Sequence, residues 1–223
     1  MFKKIILACC LLVIAFFLNA QPFANDIAAF KKQDSISFPP KNAILFVGSS
    51  SFTKWTDVQQ YFPDYKIINR GFGGSSLPDV IRYEKEIIFP YLPKQIVIYC
   101  GENDLAFSDT IKALTVFERF KTLFSDIRNK FPTTPIAYVS LKPSPSRWHL
   151  KLKIEETNKL INKFLKKKKK TAFIDVYHKM LGPDGTPLAE IFLTDKLHMN
   201  AKGYAIWQKK IQPYLLKDQK NNR

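Results

Sequence analysis

Five short apolar runs alternate with longer segments that carry apolar residues at helical spacing, and this alternation is the strongest constraint on the fold. Runs of four or five mostly apolar residues are typical of strands that are buried on both faces of a sheet. The predicted strands are Ala43–Val47, Tyr65–Asn69, Ile96–Tyr99, Ile136–Val139 and Ala172–Val176. Strands separated by helices pair in parallel, with the helices lying on the faces of the sheet. The sequence therefore predicts an α/β protein, a three-layer α/β/α sandwich around a parallel five-stranded sheet.

Four segments between and after these runs have apolar residues every three or four positions, as in amphipathic helices. They run from Val80 to Ile88, Leu114 to Ile127, Leu152 to Phe164 and Tyr204 to Leu215. Residues 21–40 are predicted to form a short helix and an extended arm, and residues 181–194 a surface excursion. No long linker divides this part of the chain, so residues 21–223 are predicted to form a single domain.

The first twenty residues have the pattern of a secretory signal peptide. Lys3 and Lys4 precede an uncharged run from Ile5 to Leu18, and a small residue, Ala20, follows. A membrane anchor is the alternative, but crossing a bilayer takes about 20 apolar residues. We therefore predict cleavage after Ala20 and a secreted or periplasmic protein.

The chain is strongly basic, with a formal net charge of +16. Its basic residues are dispersed apart from Lys166–Lys170, which closes a predicted helix, where cations suit the negative end of the helix dipole. We expect no nucleic-acid partner and at most weak contact with anionic envelope polymers. The other interpretation, an adaptor for the cell envelope or for nucleic acid, stays open.

A metal or cofactor site is not predicted. His149, His178 and His198 are scattered along the chain, and Cys100, the one cysteine outside the predicted signal peptide, is remote from each of them in sequence. The segment Gly71–Gly74 lacks the Lys-Ser/Thr ending of a phosphate-binding loop.

Polar or glycine-rich clusters follow each of the predicted strands. They are Gly48–Ser51, Arg70–Gly74, Gly101–Asp104, Lys142–Ser144, and the pair Asp195 and His198. Ligands of open parallel sheets bind outside the carboxyl ends of the strands, so we expect all five clusters on one rim. The first cluster offers a serine nucleophile, the third an amide donor, and the last a histidine with a carboxylate three residues before it. Together these groups could perform acyl transfer.

The order Gly-x-Ser, Gly, Gly-x-Asn-Asp and Asp-x-x-His, between Ile44 and about Tyr204, resembles the SGNH (GDSL-like) esterases and lipases. The glycine block Asn69–Gly74 is similar to that of the branch related to platelet-activating-factor acetylhydrolase. The resemblance implies a flavodoxin-like sandwich and a serine esterase that needs no cofactor. One departure is Ser49, which replaces the aspartate of the usual Gly-Asp-Ser block.

The resemblance also implies a role for individual residues. Ser50 would be the nucleophile, His198 its general base, and Asp195 the carboxylate that orients the imidazole. The backbone N–H groups of Ser50 and Gly74, with the side-chain amide of Asn103, would form the oxyanion hole.

The predicted substrate is a small-molecule or polymer-borne carboxylic ester with a short acyl group, such as an O-acetyl group on a carbohydrate or a lipid. Lys142 and Trp148 are candidates for the border of the substrate pocket, where Trp148 is either an apolar or sugar-stacking wall or a packing residue at a helix start. Glu102 and Asp104 are assigned no catalytic role. The alternative function is a catalytically silent carbohydrate- or lipid-binding module on the same fold.

Overall fold

The computed structural model describes residues 22–217, and a sheet of five parallel strands lies at their centre. The strands are β1 (Ile44–Gly48), β2 (Ile67–Gly71), β3 (Gln95–Tyr99), β4 (Ile136–Val139) and β5 (Thr171–Ile174). Their spatial order, β2-β1-β3-β4-β5, is the order of flavodoxin-like sheets. The predicted fold class is therefore confirmed. The predicted signal peptide, residues 1–20, lies outside the described residues.

Helices connect the strands. In residues 22–217 the α-helices are α1 (Ala24–Ile36), α2 (Ser50–Thr53), α3 (Val58–Tyr61), α4 (Leu77–Arg82), α5 (Glu84–Ile87), α6 (Glu102–Phe107), α7 (Ala113–Lys130), α8 (Lys151–Leu165) and α9 (Ala201–Ile211). A 3-10 helix, Pro145–Leu150, precedes α8. Within the same residues no helix combines the length and the apolar character that crossing a bilayer requires.

Aromatic side chains pack the helices onto both faces of the sheet. On one face, the ring of Tyr99 in β3 lies 4.8 Å from Trp207 in α9, centroid to centroid. On the other face, Tyr138 in β4 lies 4.9 Å from Phe120 in α7. Tyr138 is in register with Ile98, the neighbour of Tyr99, and successive strand residues point to opposite faces. Helices therefore cover both sides of the sheet, as the three-layer prediction requires.

Most strand boundaries differ from the predictions by one or two residues, and at two of them a hydrogen bond draws a predicted strand residue out of the sheet. β2 begins at Ile67 instead of Tyr65, since the Tyr65 N–H donates to the Phe62 carbonyl at 3.1 Å in a turn. β5 ends before Val176, whose N–H donates to Ser140 Oγ at 3.1 Å instead of to a neighbouring strand.

The helix predicted from Val80 to Ile88 is instead two short helices, α4 and α5. The break lies at Tyr83, whose φ of −104° and ψ of 10° are not helical. The short helix predicted near the N-terminus is α1. The predicted excursion at residues 181–194 contains an antiparallel bridge between Leu181 and Pro187.

Gly48 ends β1 in close contact with β3. Its φ is +143°, and a Cβ built on it would lie 1.9 Å from the carbonyl oxygen of Tyr99. That oxygen accepts a hydrogen bond from the Ser49 N–H at 3.0 Å, so displacing it would also disturb the turn that follows β1. Only glycine fits this position without strain.

We expect Gly48→Ala to lower the free energy of unfolding by about 3–5 kcal/mol, because the added methyl group meets backbone atoms. Urea unfolding followed by circular dichroism measures the loss. Gly185→Ala is the matched control, since Gly185 has a φ of +75° but no atom within 4 Å of the added Cβ. The control should lose only about 1–2 kcal/mol. Equal losses in the two variants would contradict the steric explanation.

Candidate active site

Three consecutive serines follow β1, and the structure places them in different environments. Ser49 and Ser51 are each 2% exposed, whereas Ser50 is half-buried. The hydroxyl of Ser51 forms a hydrogen bond with the phenol of Tyr99, which lowers the pKa of that phenol against the larger effect of burial. Ser50 is the first residue of α2 and the most accessible of the three serines.

Asp195 and His198 form a hydrogen-bonded pair. Asp195 Oδ2 lies 2.7 Å from His198 Nδ1, and Asp195 Oδ1 accepts the backbone N–H groups of Leu197 and His198, both at 2.9 Å. Burial alone would raise the pKa of Asp195, but the hydrogen bonds from His198 and Leu197 outweigh it and bring the pKa to about 2. The carboxylate is therefore ionised at neutral pH and can hold Nδ1 as a donor.

The second ring nitrogen of His198, Nε2, is available to accept a proton. Nε2 is buried and has no hydrogen-bond partner among residues 22–217. A buried polar atom without a partner calls for an explanation, and a catalytic role is one of them. Because Nδ1 faces Asp195, Nε2 is the nitrogen that can accept a proton.

Tyr204 links the histidine segment to the serine turn. Its hydroxyl donates to the Ser51 carbonyl at 2.9 Å, and it lies in the first turn of α9, which follows His198. The structure thus brings the segment of Asp195 and His198 towards the turn of Ser50. No hydrogen bond joins Ser50 to Nε2 here. Such bonds are often long in unliganded enzymes and shorten when substrate binds.

The two remaining candidates, Gly74 and Asn103, lie together. Asn103 Nδ2 donates to the carbonyl of Ser75, the neighbour of Gly74, at 2.9 Å, and Ser75 Oγ donates to the Gly48 carbonyl at 3.2 Å. An amide nitrogen carries two hydrogens, so this bond orients Asn103 and leaves one donor. Gly74 has a φ of +86°, a conformation that favours glycine.

The two predicted pocket residues after β4 differ in position. Lys142 is 1% exposed, and its Nζ donates to Glu102 Oε2 at 2.7 Å. Its amino group therefore has an internal partner. Trp148 is half-buried, packs against the core, and has Lys151 Nζ 4.9 Å from its ring centroid.

The sequence interpretation missed Glu102, which lies at the centre of a buried charge cluster. It also missed a second Asp-x-x-His segment, Asp175 to His178, directly after β5. In this pair, His178 Nδ1 lies 2.5 Å from Asp175 Oδ2, but the His178 side chain is 76% exposed. The pair borders a cleft of about 350 Å³ beside Ser140. The repeated spacing was visible in the sequence, whereas the difference in burial was not.

Comparisons with known proteins agree with this architecture. A model of the GDSL-like lipase/acylhydrolase family matches residues 34–206. A comparison with curated proteins gives no match.

Several solved structures share the fold. A Streptococcus pneumonia protein named for platelet activating factor is 20% identical and has a TM-score of 0.74, with 86% of this chain and 92% of that chain covered. A GDSL-like lipase from Bacteroides thetaiotaomicron is 20% identical and has a TM-score of 0.72, with coverages of 84% and 96%. A carbohydrate esterase family 3 protein from Talaromyces cellulolyticus is 14% identical and has a TM-score of 0.63, with coverages of 77% and 94%. These identities establish the fold alone. The family model, which matches well over half of the sequence, shows that the protein belongs to the GDSL-like lipase/acylhydrolase family of hydrolases.

Proposed function

We propose that the protein is a secreted serine esterase that hydrolyses short-chain carboxylic esters through an acyl-enzyme. Ser50 is the nucleophile, His198 the general base and Asp195 the residue that orients it. The observation that carries this proposal is the environment of the His198 imidazole. Asp195 holds the ring at Nδ1, and Nε2 is buried without a hydrogen-bond partner among residues 22–217. The hydrogen bond from the Tyr204 hydroxyl to the Ser51 carbonyl supports close approach of Ser50 and His198 when substrate binds.

In the first half of the reaction, Ser50 Oγ attacks the ester carbonyl carbon and its proton moves to His198 Nε2. The carbonyl oxygen becomes an oxyanion, and Asp195 stabilises the imidazolium that forms. When the tetrahedral intermediate collapses, the bond to the alcohol oxygen breaks. The alcohol leaves with the proton from Nε2, and the acyl group remains on Ser50.

In the second half, water replaces the alcohol. His198 Nε2 takes a proton from the water as the water oxygen attacks the acyl carbon. Collapse of this second intermediate breaks the bond to Ser50 Oγ, which recovers its proton from His198. The carboxylic acid is released, and the enzyme returns to its starting state.

The oxyanion is stabilised by the N–H groups of Ser50 and Gly74 and by the Asn103 amide. Asn103 is suited to this role because one of its two amide hydrogens is bound by the Ser75 carbonyl, which holds the other in a fixed direction. A donor that is already oriented needs no reorganisation during the reaction, and this is the source of its catalytic value.

We expect Asn103→Ala to lower kcat by about 100- to 1,000-fold with little change in KM, because the donor acts on the charge that develops in the transition state. Steady-state kinetics with a chromogenic acetyl ester measure the loss. Asn103→Asp keeps the side-chain shape but replaces the donor with a carboxylate, so its loss should be at least as large. Activity within threefold of the wild type in either folded variant would exclude Asn103 from the oxyanion hole.

We propose an O-acetyl or similarly short acyl group carried by a carbohydrate or a lipid. A carbohydrate alcohol is included because one of the proteins that share the fold is a carbohydrate esterase. A panel of esters in which chain length varies against sugar and lipid alcohols tests this choice. The highest kcat/KM should belong to acetyl esters, and a steady rise towards long acyl chains would contradict it.

A catalytically silent binding module is the second candidate, and the missing hydrogen bond between Ser50 and His198 Nε2 is the observation that favours it. A pre-steady-state burst of alcohol release, stoichiometric with enzyme, would exclude this candidate. Binding of sugar or lipid esters without any release would support it.

A further inference from the structure

A buried carboxylate lies directly before the proposed oxyanion donor Asn103. Glu102 is 2% exposed and has three partners. Lys142 Nζ donates to Oε2 at 2.7 Å, and the hydroxyl of Tyr99 donates to the same oxygen. Arg147 Nη1 lies 3.1 Å from Oε1 in an ion pair whose angle is unsuited to a hydrogen bond. One carboxylate thus binds groups from the end of β3 and from the segment after β4.

Glu102 and Lys142 shift each other's pKa within this cluster. Burial raises the pKa of Glu102, but Lys142 and Arg147 outweigh burial and hold the pKa below its ordinary value. Burial lowers the pKa of Lys142, and the pKa stays below its ordinary value although the carboxylate of Glu102 opposes the shift. Buried ion pairs often stabilise a fold no better than apolar residues of the same size. Stability is therefore a poor explanation for charges at this position.

The cluster contacts both sides of the proposed catalytic machinery. On one side, Glu102 is the first residue of α6, which carries Asn103. On the other side, the N–H of Ser146, next to Arg147, donates to the carbonyl of Lys196 at 3.1 Å. Lys196 lies inside the turn that joins Asp195 to His198. Tyr99, which binds Glu102, also forms a hydrogen bond with Ser51, so the cluster is connected to the nucleophile turn as well.

We propose that Glu102 and Lys142, with Arg147, are positioning residues that fix the nucleophile turn, the Asn103 donor and the Asp195–His198 turn relative to one another. None of the three needs to touch the substrate. The inference rests on the proposed function, because it concerns the geometry of that reaction. Reacting groups displaced by about 1 Å can lose about 100-fold in rate, so the effect should appear in kcat.

The informative variant is the double replacement Glu102→Gln with Lys142→Met. It removes both charges and keeps the side-chain volumes, whereas either single change leaves a buried charge without its main partner. We expect a thermal midpoint within a few degrees of the wild type, a kcat lower by about 10- to 100-fold and a KM changed by less than about threefold. A purely structural pair would leave kcat unchanged once the protein is folded.

A second buried network, also built from a carboxylate, a tyrosine and a basic residue, provides the control. The hydroxyl of Tyr91 donates to Asp34 Oδ2 at 2.5 Å, Arg70 Nε donates to Tyr91 at 2.7 Å, and Arg70 also pairs with Asp34. This network attaches α1 to the end of β2. The double replacement Asp34→Asn with Arg70→Met removes the same kinds of charge and should leave kcat within about twofold of the wild type.

If the Glu102/Lys142 double variant does not fold, a single variant tests the same inference. The Arg147 side chain is 20% exposed, so Arg147→Met should fold, and it should lower kcat about tenfold with KM nearly constant. Wild-type kcat in the folded Glu102/Lys142 double variant, or in Arg147→Met if that double variant does not fold, would overturn the inference. An equal loss of kcat in the Asp34/Arg70 control would also overturn it.

Ser50→Ala, assayed in parallel, separates the two proposals. If Ser50→Ala is inactive and the Glu102/Lys142 variant is fully active, the positioning role alone is wrong. If Ser50→Ala is as active as the wild type, the proposed function is wrong, and the positioning role fails with it.

Discussion

Ser50→Ala should lower kcat for a small chromogenic ester by about 10⁴- to 10⁶-fold, because it removes the atom that forms the acyl-enzyme. The protein should fold normally. Ser50 is half-buried and the change removes a single oxygen atom, so little packing is lost. Steady-state kinetics measure the loss, and thermal unfolding shows whether the fold is retained.

The neighbouring serines provide the matched controls for this prediction. Ser49→Ala and Ser51→Ala should each retain most of the activity, because both residues are buried whereas Ser50 is more accessible. Ser51→Ala also loses a hydrogen bond with Tyr99 and should show the larger decrease of the two. Full activity in Ser50→Ala together with a loss in one of the controls would mean that the nucleophile is a different serine.

His198→Ala should produce a loss of kcat close to that of Ser50→Ala, about 10⁴- to 10⁶-fold, because nucleophile and base act as a unit. The chain supplies an unusually close control in His178. Both histidines hold an aspartate three residues earlier through Nδ1, at 2.7 Å for His198 and 2.5 Å for His178. They differ in exposure, since the His198 side chain is 18% exposed and that of His178 is 76% exposed.

His178→Ala should therefore keep kcat/KM within about twofold of the wild type, as is usual for a change at the surface. Both variants can be assayed on the same ester, with circular dichroism as the test of folding. Large losses in His178→Ala with little effect of His198→Ala would place the base after β5 instead. The double variant Ser50→Ala with His198→Ala should have about the same activity as either single variant. Removing one of the two residues already abolishes proton transfer from the nucleophile, so removing the other costs little more.

Much of the fold could be predicted from the sequence because buried parallel strands have a strong local pattern. β4 was predicted with the bounds Ile136–Val139 that the structure has. One error, at the end of β5, arises because a residue distant in sequence decides the outcome. Val176 continues an apolar run, but Ser140 Oγ accepts its N–H and ends β5 earlier. No local pattern could reveal that partner.

In the candidate site, too, short local motifs could be read from the sequence, whereas contacts between distant segments could not. Ser50, Gly74, Asn103, Asp195 and His198 could be selected because their motifs are short and occur in a characteristic order. Their catalytic roles remain predictions. By contrast, Lys142 was expected at the border of the pocket, and its burial against Glu102 depends on how the segment after β4 packs against the start of α6. A charged residue directly after a buried strand is the signal that could have drawn attention to this pair.

The site of covalent modification by a fluorophosphonate tests the central claim most directly. Such a reagent reacts with an activated serine, and mass spectrometry of the digested protein identifies the residue that carries the adduct. One phosphonyl group per molecule, located on Ser50, absent in Ser50→Ala and formed far more slowly in His198→Ala, is the predicted result. An adduct on another residue, or no adduct on the folded protein, would contradict the proposed serine chemistry.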